Sequence, residues 1–354
     1  MRVAALLLVL ALLLSGCSWW LDGEYVSVKP HTNRPQPPIA GSITVSDFLQ
    51  LRNALEEMVE NGVESRVLSV EEMQRETLDS HMENAIRYVT QNHPVGAYAV
   101  NAVSYEIGTS TGSTAIAVTV SYNHGKNEIQ RIRYVKGTAE GKELIAKALG
   151  QYETGIVLYI SDYADTDFAQ MVQSFGLENP AAVMEIPQVS VGIYPESGND
   201  RVVALQFTYQ NNRESLRSMY NYVQPVFSSA SLYVSGEGEE RVKFAQLFSF
   251  LMERNTYQIE TSITPAYSLL RHGVGDSRAF ATVYAAMCRA AGLEAMTVTG
   301  TRTGEPRCWN IVCLDGVYYH VDLLQSHKAG RIRFLTDRDM GGYVWDYDAY
   351  PACG

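Results

Sequence analysis

A thiol, an imidazole and a carboxylate stand close together near the C-terminus of this 354-residue chain: Cys313, His320 and Asp322. The set suits acyl chemistry, in which a thiolate attacks, an imidazole carries the proton and a carboxylate orients the imidazole. What positions them is a hairpin. Trp309–Leu314 and Val317–Leu323 are apolar-rich runs joined by Asp315-Gly316, the dipeptide of a tight two-residue turn. With that turn, Leu314 faces Val317, Cys313 faces Tyr318, Ile311 faces His320 and Trp309 faces Asp322. Strand alternation then puts Arg307, Trp309, Ile311 and Cys313 on one face with Tyr318, His320, Asp322 and Leu324.

The register offers two pairings for the same acid. Cys313 is diagonal to His320, so a thiol site is geometrically conceivable, although no helix N-terminus activates the thiol and Tyr318 and Ile311 crowd it. Arg307 is diagonal to Asp322 and within reach of it. A guanidinium holds a carboxylate bidentately but keeps its proton near neutral pH, so Arg307 cannot serve as a base. His320, Asp322 and His327 supply three metal ligands without a clear fourth, and no metal or other cofactor is expected.

A helix precedes the hairpin. Gly273-Val274-Gly275 forms a turn, Asp276 and Ser277 open the helix, apolar residues recur at helical spacing through Cys288, and Gly292 stops it. The stretch Pro265–Gln325 resembles the transglutaminase-like domain family, whose core has a papain-like layout. The resemblance covers about the last third of the chain. It implies an α+β fold with a nucleophilic Cys opening the helix after a Gly-Val turn. It also implies a His two residues before Trp-Asn and an Asp ending the following strand. Here those positions hold Gly275, Arg307 and Asp322. Two of the three roles are lost, and an inactive domain is expected. Tyr257 and Tyr267 match the family's Tyr-containing approach to the nucleophile loosely. A degenerate cleft of Tyr267, Asp276, Arg307, Trp309 and Asp322 beside Gly275 is expected to hold a carboxylate-bearing group, such as a peptide end.

Composition limits the partners. The chain carries 28 Lys and Arg against 39 Asp and Glu, a net charge of −11, with no long basic run. Nucleic acid is therefore not an expected partner. Residues 1–17 read as a signal segment, with Arg2 before the apolar run Val3–Leu14. Leu14-Ser15-Gly16-Cys17 resembles the bacterial lipobox, which implies a diacylated Cys17 holding the chain on the outer face of a cell membrane. Residues 18–41 are a Pro-rich tether. Residues 42–138 and 139–222 read as one α/β unit repeated, because Asp79 to Pro94 and Asp165 to Pro180 span the same distance and similar strand pairs follow. Residues 223–354 form the transglutaminase-like domain. Its amphipathic helix, Glu239–Arg254, has Val242, Leu247, Phe250 and Leu251 among its apolar positions. Ile332–Leu335 reads as one more strand.

The expected protein is an extracytoplasmic lipoprotein whose inactive domain binds or scaffolds peptide, protein or glycan. The alternative is a thiol hydrolase or amide-transferring enzyme using Cys313–His320–Asp322.

Overall fold

Strand β1 (Ile43–Val45) leads into helix α1 (Phe48–Glu60), which starts where the sequence signals a cap: the Asp47 carboxylate accepts the Gln50 N–H at 2.8 Å. There follow β2 (Ser65–Val70), α2 (Arg75–Gln91), α3 (Pro94–Ala99), β3 (Val100–Ser110) and β4 (Ser113–Tyr122). The strands form a four-stranded sheet in the order β1-β2-β4-β3, with β1 and β2 parallel. Leu51, Leu55 and Met58 of α1 and Leu78 and Met82 of α2 are buried. In the computed structural model, residues 43–110, 113–235, 238–259 and 262–354 are described. The signal segment 1–17, its Cys17 and the tether 18–41 lie outside them.

After the single turn α4 (Lys126–Ile129), the order repeats: β5 (Arg133–Lys136), α5 (Gly137–Gly150), β6 (Gly155–Ser161), α6 (Phe168–Glu178), β7 (Gln188–Tyr194) and β8 (Arg201–Thr208). This sheet has the order β5-β6-β8-β7, matching the first strand for strand. The matched Asp-to-Pro spacing has a different basis from the one the sequence suggests. Asp165 lies in the loop before α6, whose cap is Asp167, accepting the Gln170 N–H, whereas Asp79 lies inside α2 and accepts the Tyr105 hydroxyl at 2.9 Å. Strand β5 escapes the hydrophobic pattern because only Val135 of its four residues is buried.

The remainder is helical before it is a sheet. Helices α7 (Arg213–Ser228) and α8 (Glu240–Arg254) precede β9 (Thr256–Tyr257), α9 (Pro265–His272), β10 (Val274–Gly275) and α10 (Ser277–Ala290). Then come β11 (Ala295–Arg302), β12 (Glu305–Leu314), β13 (Val317–Val321), α11 (Leu323–Lys328) and β14 (Tyr343–Trp345). The sheet order is β13-β12-β11-β14. Compactness divides the chain into Met1–Tyr134 with Ile193–Val202, and Val135–Gly192 with Val203–Gly354.

Helix α10 is the centre of the C-terminal core. Every residue from Ala279 to Cys288 is buried, and Tyr284 inside it donates to the Phe244 carbonyl at 2.9 Å. Two sequence expectations fail nearby. Ile332–Leu335 is not a strand; it makes one isolated bridge, Leu335 to His320, since Arg331 and Arg333 spend their amides on the Ser326 carbonyl and hydroxyl. In α8, Leu247 and Leu251 are buried, but Val242 is 43% exposed and Phe250 only partly covered.

Candidate functional site

The hairpin turns where Asp315-Gly316 requires. Both residues have positive φ, 51° and 80°, the pair a type I′ turn needs and the reason glycine stands second. The resulting register is Leu314 to Val317, Cys313 to Tyr318 and Ile311 to His320. Asn310 turns to α10, its amide donating to the Ala281 and Met296 carbonyls. Trp309 and Ile311 turn to a second core with Val298, Met340, Trp345 and Cys353.

At the start of α10 the Asp276 carboxylate caps the helix, accepting the Ala279 N–H at 2.9 Å. Gly275 pairs with Tyr257 in a short parallel ladder, and its carbonyl accepts the Gln258 N–H. A Cβ at 275 would lie 2.8 Å from Ala279 Cβ and 3.0 Å from Leu269 Cδ1. The open space expected beside Gly275 is therefore filled by Leu269 and Ala279. Gly275→Cys is expected to lose about 1–3 kcal/mol in urea unfolding, because a buried side chain must be forced between them. Unchanged stability would show that these neighbours yield.

Arg307 and Asp322 meet as the register implies. The Asp322 carboxylate accepts Arg307 Nε at 3.0 Å and Nη2 at 2.7 and 2.8 Å. It also accepts the Tyr343 hydroxyl at 2.8 Å and, as the cap of α11, the Gln325 N–H at 3.0 Å. Asp322 is 2% exposed. Burial opposes the charge on Arg307, but the hydrogen bonds and charge of Asp322 outweigh it and hold the guanidinium above its ordinary range. Burial and the same carboxylate push the Tyr343 hydroxyl up. The group is a closed clasp in which the acid's lone pairs are spent on three side-chain and backbone partners.

His320 is not the partner of Cys313. Its Nδ1 accepts the Trp309 indole N–H at 3.0 Å, and its Nε2 lies 2.9 Å from Asp337 Oδ1. Indole nitrogen only donates, so the ring proton sits on Nε2 and goes to Asp337. The other Asp337 oxygen accepts the Cys353 N–H at 3.1 Å. His320, Asp337 and the Cys353 thiol thus offer ligand atoms within 4.8 Å of one another. Nε2 carries its proton and has no free lone pair for a metal, and neither ring nitrogen is free to take a proton from the thiol.

Burial lowers the His320 pKa, and the hydrogen bond to Asp337 only partly offsets it. A depressed imidazole pKa contributes stability that is complete above the unfolded value of about 6.5 and is lost as pH falls below it. Unfolding free energy is therefore expected to decline from about pH 6.5 to 5, with proton uptake on unfolding. A flat profile through that window would show that His320 titrates in the fold as it does in the unfolded chain, and a rise toward low pH that it is already charged there.

None of the described thiols is poised as a thiolate. Cys288, Cys308, Cys313 and Cys353 are all unpaired. Burial and the Asp337 charge push the Cys353 thiol up to about 12. Burial and Asp276 push Cys308 up to about 11. Cys313 lies against Glu294 and is also raised, by burial and that charge. Of the expected cleft, Trp309 is 0% exposed and lines no opening, while Asp276 and Asp322 are buried as helix caps. Tyr267 stays half-buried, its ring edge-on to Tyr222 and His272. Sequence reasoning missed Tyr343 and Asp337 and gave no role to Cys353, because they arrive after α11 on irregular chain and on the three-residue strand β14.

No curated protein matches the chain. Several solved structures resemble it. A TGase is 14% identical over 48% of this chain and 50% of its own, with a TM-score of 0.25. A candidate cysteine protease from Cytophaga hutchinsonii is 13% identical over 44% and 70%, with a TM-score of 0.26. A candidate protease from Parabacteroides distasonis is 10% identical over 62% and 35%, with a TM-score of 0.24. The chain thus spans half the length of the first and about a third of the last. The model of the transglutaminase-like superfamily matches residues 229–323, from the end of α7 to the start of α11. This stretch, with its buried central helix and the Asp-Gly hairpin packed on it, is a transglutaminase-like domain.

Proposed function

We propose that this domain performs no acyl transfer and serves as a binding or scaffolding module on an extracytoplasmic bacterial lipoprotein anchored through Cys17. The observation that carries the reading is the clasp: where a base and its orienting acid would work, Arg307 is locked bidentately onto Asp322. A guanidinium so held cannot accept a proton. The nucleophile's position is Gly275, with no thiol and no room for one. The lipid anchor rests on the Leu14-Ser15-Gly16-Cys17 motif. Thiol labelling tests the inactive reading. Iodoacetamide is expected to modify the native protein slowly at pH 7, with a rate that climbs only above about pH 8.5, as for an unactivated thiol.

A thiol enzyme is the second reading, and the proximity of Cys353, His320 and Asp337 favours it. Against it stand the Cys353 thiol's burial and an imidazole held on both sides. Rapid labelling of one cysteine at neutral pH, together with amine-transfer or peptidase activity lost on its replacement by Ala, would establish this reading. The Cys313–His320–Asp322 version requires His320 to leave both Trp309 and Asp337.

A further inference from the structure

Helix α8 and segment 331–335 flank an open groove of about 1010 Å³ whose lining includes none of the clasp residues. Its wall includes Val242, which the core leaves exposed, and Phe250, which it covers only in part. Four arginines line it, Arg241, Arg254, Arg331 and Arg333, against one carboxylate, Glu253. All four are exposed, and among the described residues none has a carboxylate within ion-pair distance. In a chain of net charge −11 this concentration runs against the overall field.

The groove is also ordered before anything enters it. The Arg241 guanidinium lies 4.6 Å over the Phe334 ring, and Arg254 lies 4.3 Å over Phe250. Phe334 is in turn held edge-on by Phe244 and Tyr319, and Phe250 packs on Tyr233. Arg254 also donates Nη1 to the Phe250 carbonyl at 3.4 Å. Stacked guanidinium planes keep their remaining N–H groups for carboxylates and lose little rotamer freedom on binding.

We infer that this groove binds an acidic peptide segment of a partner protein, with carboxylates interspersed among apolar side chains. Carboxylates meet the arginine rim, and apolar side chains cover Phe250, Phe334 and Val242. The volume is at or above the upper end of the usual small-molecule range of about 300–1,000 Å³. A single small anion would leave most of the groove and its cations unmet. The chain's net charge of −11 opposes a grip on an anionic bilayer surface. The excess of acidic residues over the rest of the chain repels a long polyanion such as nucleic acid. The inference gives the proposed binding role a surface, and rests on that reading for the role alone. Thiol labelling tests catalysis and peptide binding tests the groove, so either can fail separately.

The test uses the full chain in detergent and a fluorescein-labelled ten-residue peptide alternating Glu with Leu, read by anisotropy. Binding is expected, weakened at least about tenfold by Arg331→Glu with Arg333→Glu, and several-fold by raising salt from about 0.05 to 0.5 M. Both arginines are exposed, so circular dichroism should be unchanged. Oligoglutamate of equal length, without apolar side chains, is expected to bind about tenfold more weakly. No binding, or binding indifferent to the charge reversal, overturns the inference. So does equal binding of oligoglutamate or of an oligodeoxynucleotide. Self-association abolished by the same reversal would make the occupant a second copy and overturn the partner assignment.

Discussion

Asp322→Ala is expected to cost about 3–5 kcal/mol of unfolding free energy, read from urea titration of the purified chain. The carboxylate is the only partner hydrogen-bonded to Arg307 among the described residues, and it is nearly fully buried. Its removal leaves a guanidinium with 11% of its side chain exposed and no countercharge, strands the Tyr343 hydroxyl and uncaps α11. Arg307→Met should cost less, since Asp322 keeps Tyr343 and the Gln325 amide. The double variant Arg307→Met with Asp322→Asn, which retains a capping side chain, should lose less than Arg307→Met and Asp322→Asn lose separately when added together. A loss below about 1 kcal/mol for Asp322→Ala would reduce the clasp to an ordinary surface pair and remove the structural reason for its presence at this position.

The second large effect belongs to Trp309. Trp309→Ala should also lose about 3–5 kcal/mol, as truncation of a buried aromatic side chain leaves a cavity. Its indole is the centre of the second core, 5.2 Å from Tyr343 and 5.9 Å from Trp345 between ring centroids. Trp309→Phe separates packing from polarity. It keeps a ring but removes the donor to His320 Nδ1, leaving a buried acceptor unsatisfied at about 1–3 kcal/mol. Without the opposing indole N–H, His320 also protonates more readily. The decline in stability below about pH 6.5 should then be shallower than in the parent chain. If Trp309→Phe leaves that decline unchanged, the indole does not hold His320 neutral.

Both predictions depend on residues of unequal legibility. Trp309, Asp322 and Arg307 are placed by a local rule, because a two-residue turn fixes which residues oppose each other along the strands that follow. Tyr343 and Asp337 sit 21 and 17 residues from the groups they hydrogen-bond, on a segment with little regular structure. No period or cap in the sequence marks such residues. The α8 pattern misleads for a related reason: helical periodicity identifies an apolar stripe, but how much of that stripe the domain covers depends on where segment 331–335 lies.

The sequence by itself determined the central helix, the hairpin register and the Arg307–Asp322 encounter. These follow from residue identity and from geometry that acts over a turn or a strand pair. Only the tertiary structure decided that Leu269 and Ala279 fill the space beside Gly275, that His320 is shared by Trp309 and Asp337, and that the arginines of α8 and the 331–335 strap face one groove. Those outcomes depend on packing between segments far apart in the chain, where side-chain volume and hydrogen-bond competition select one arrangement among many that the local pattern allows.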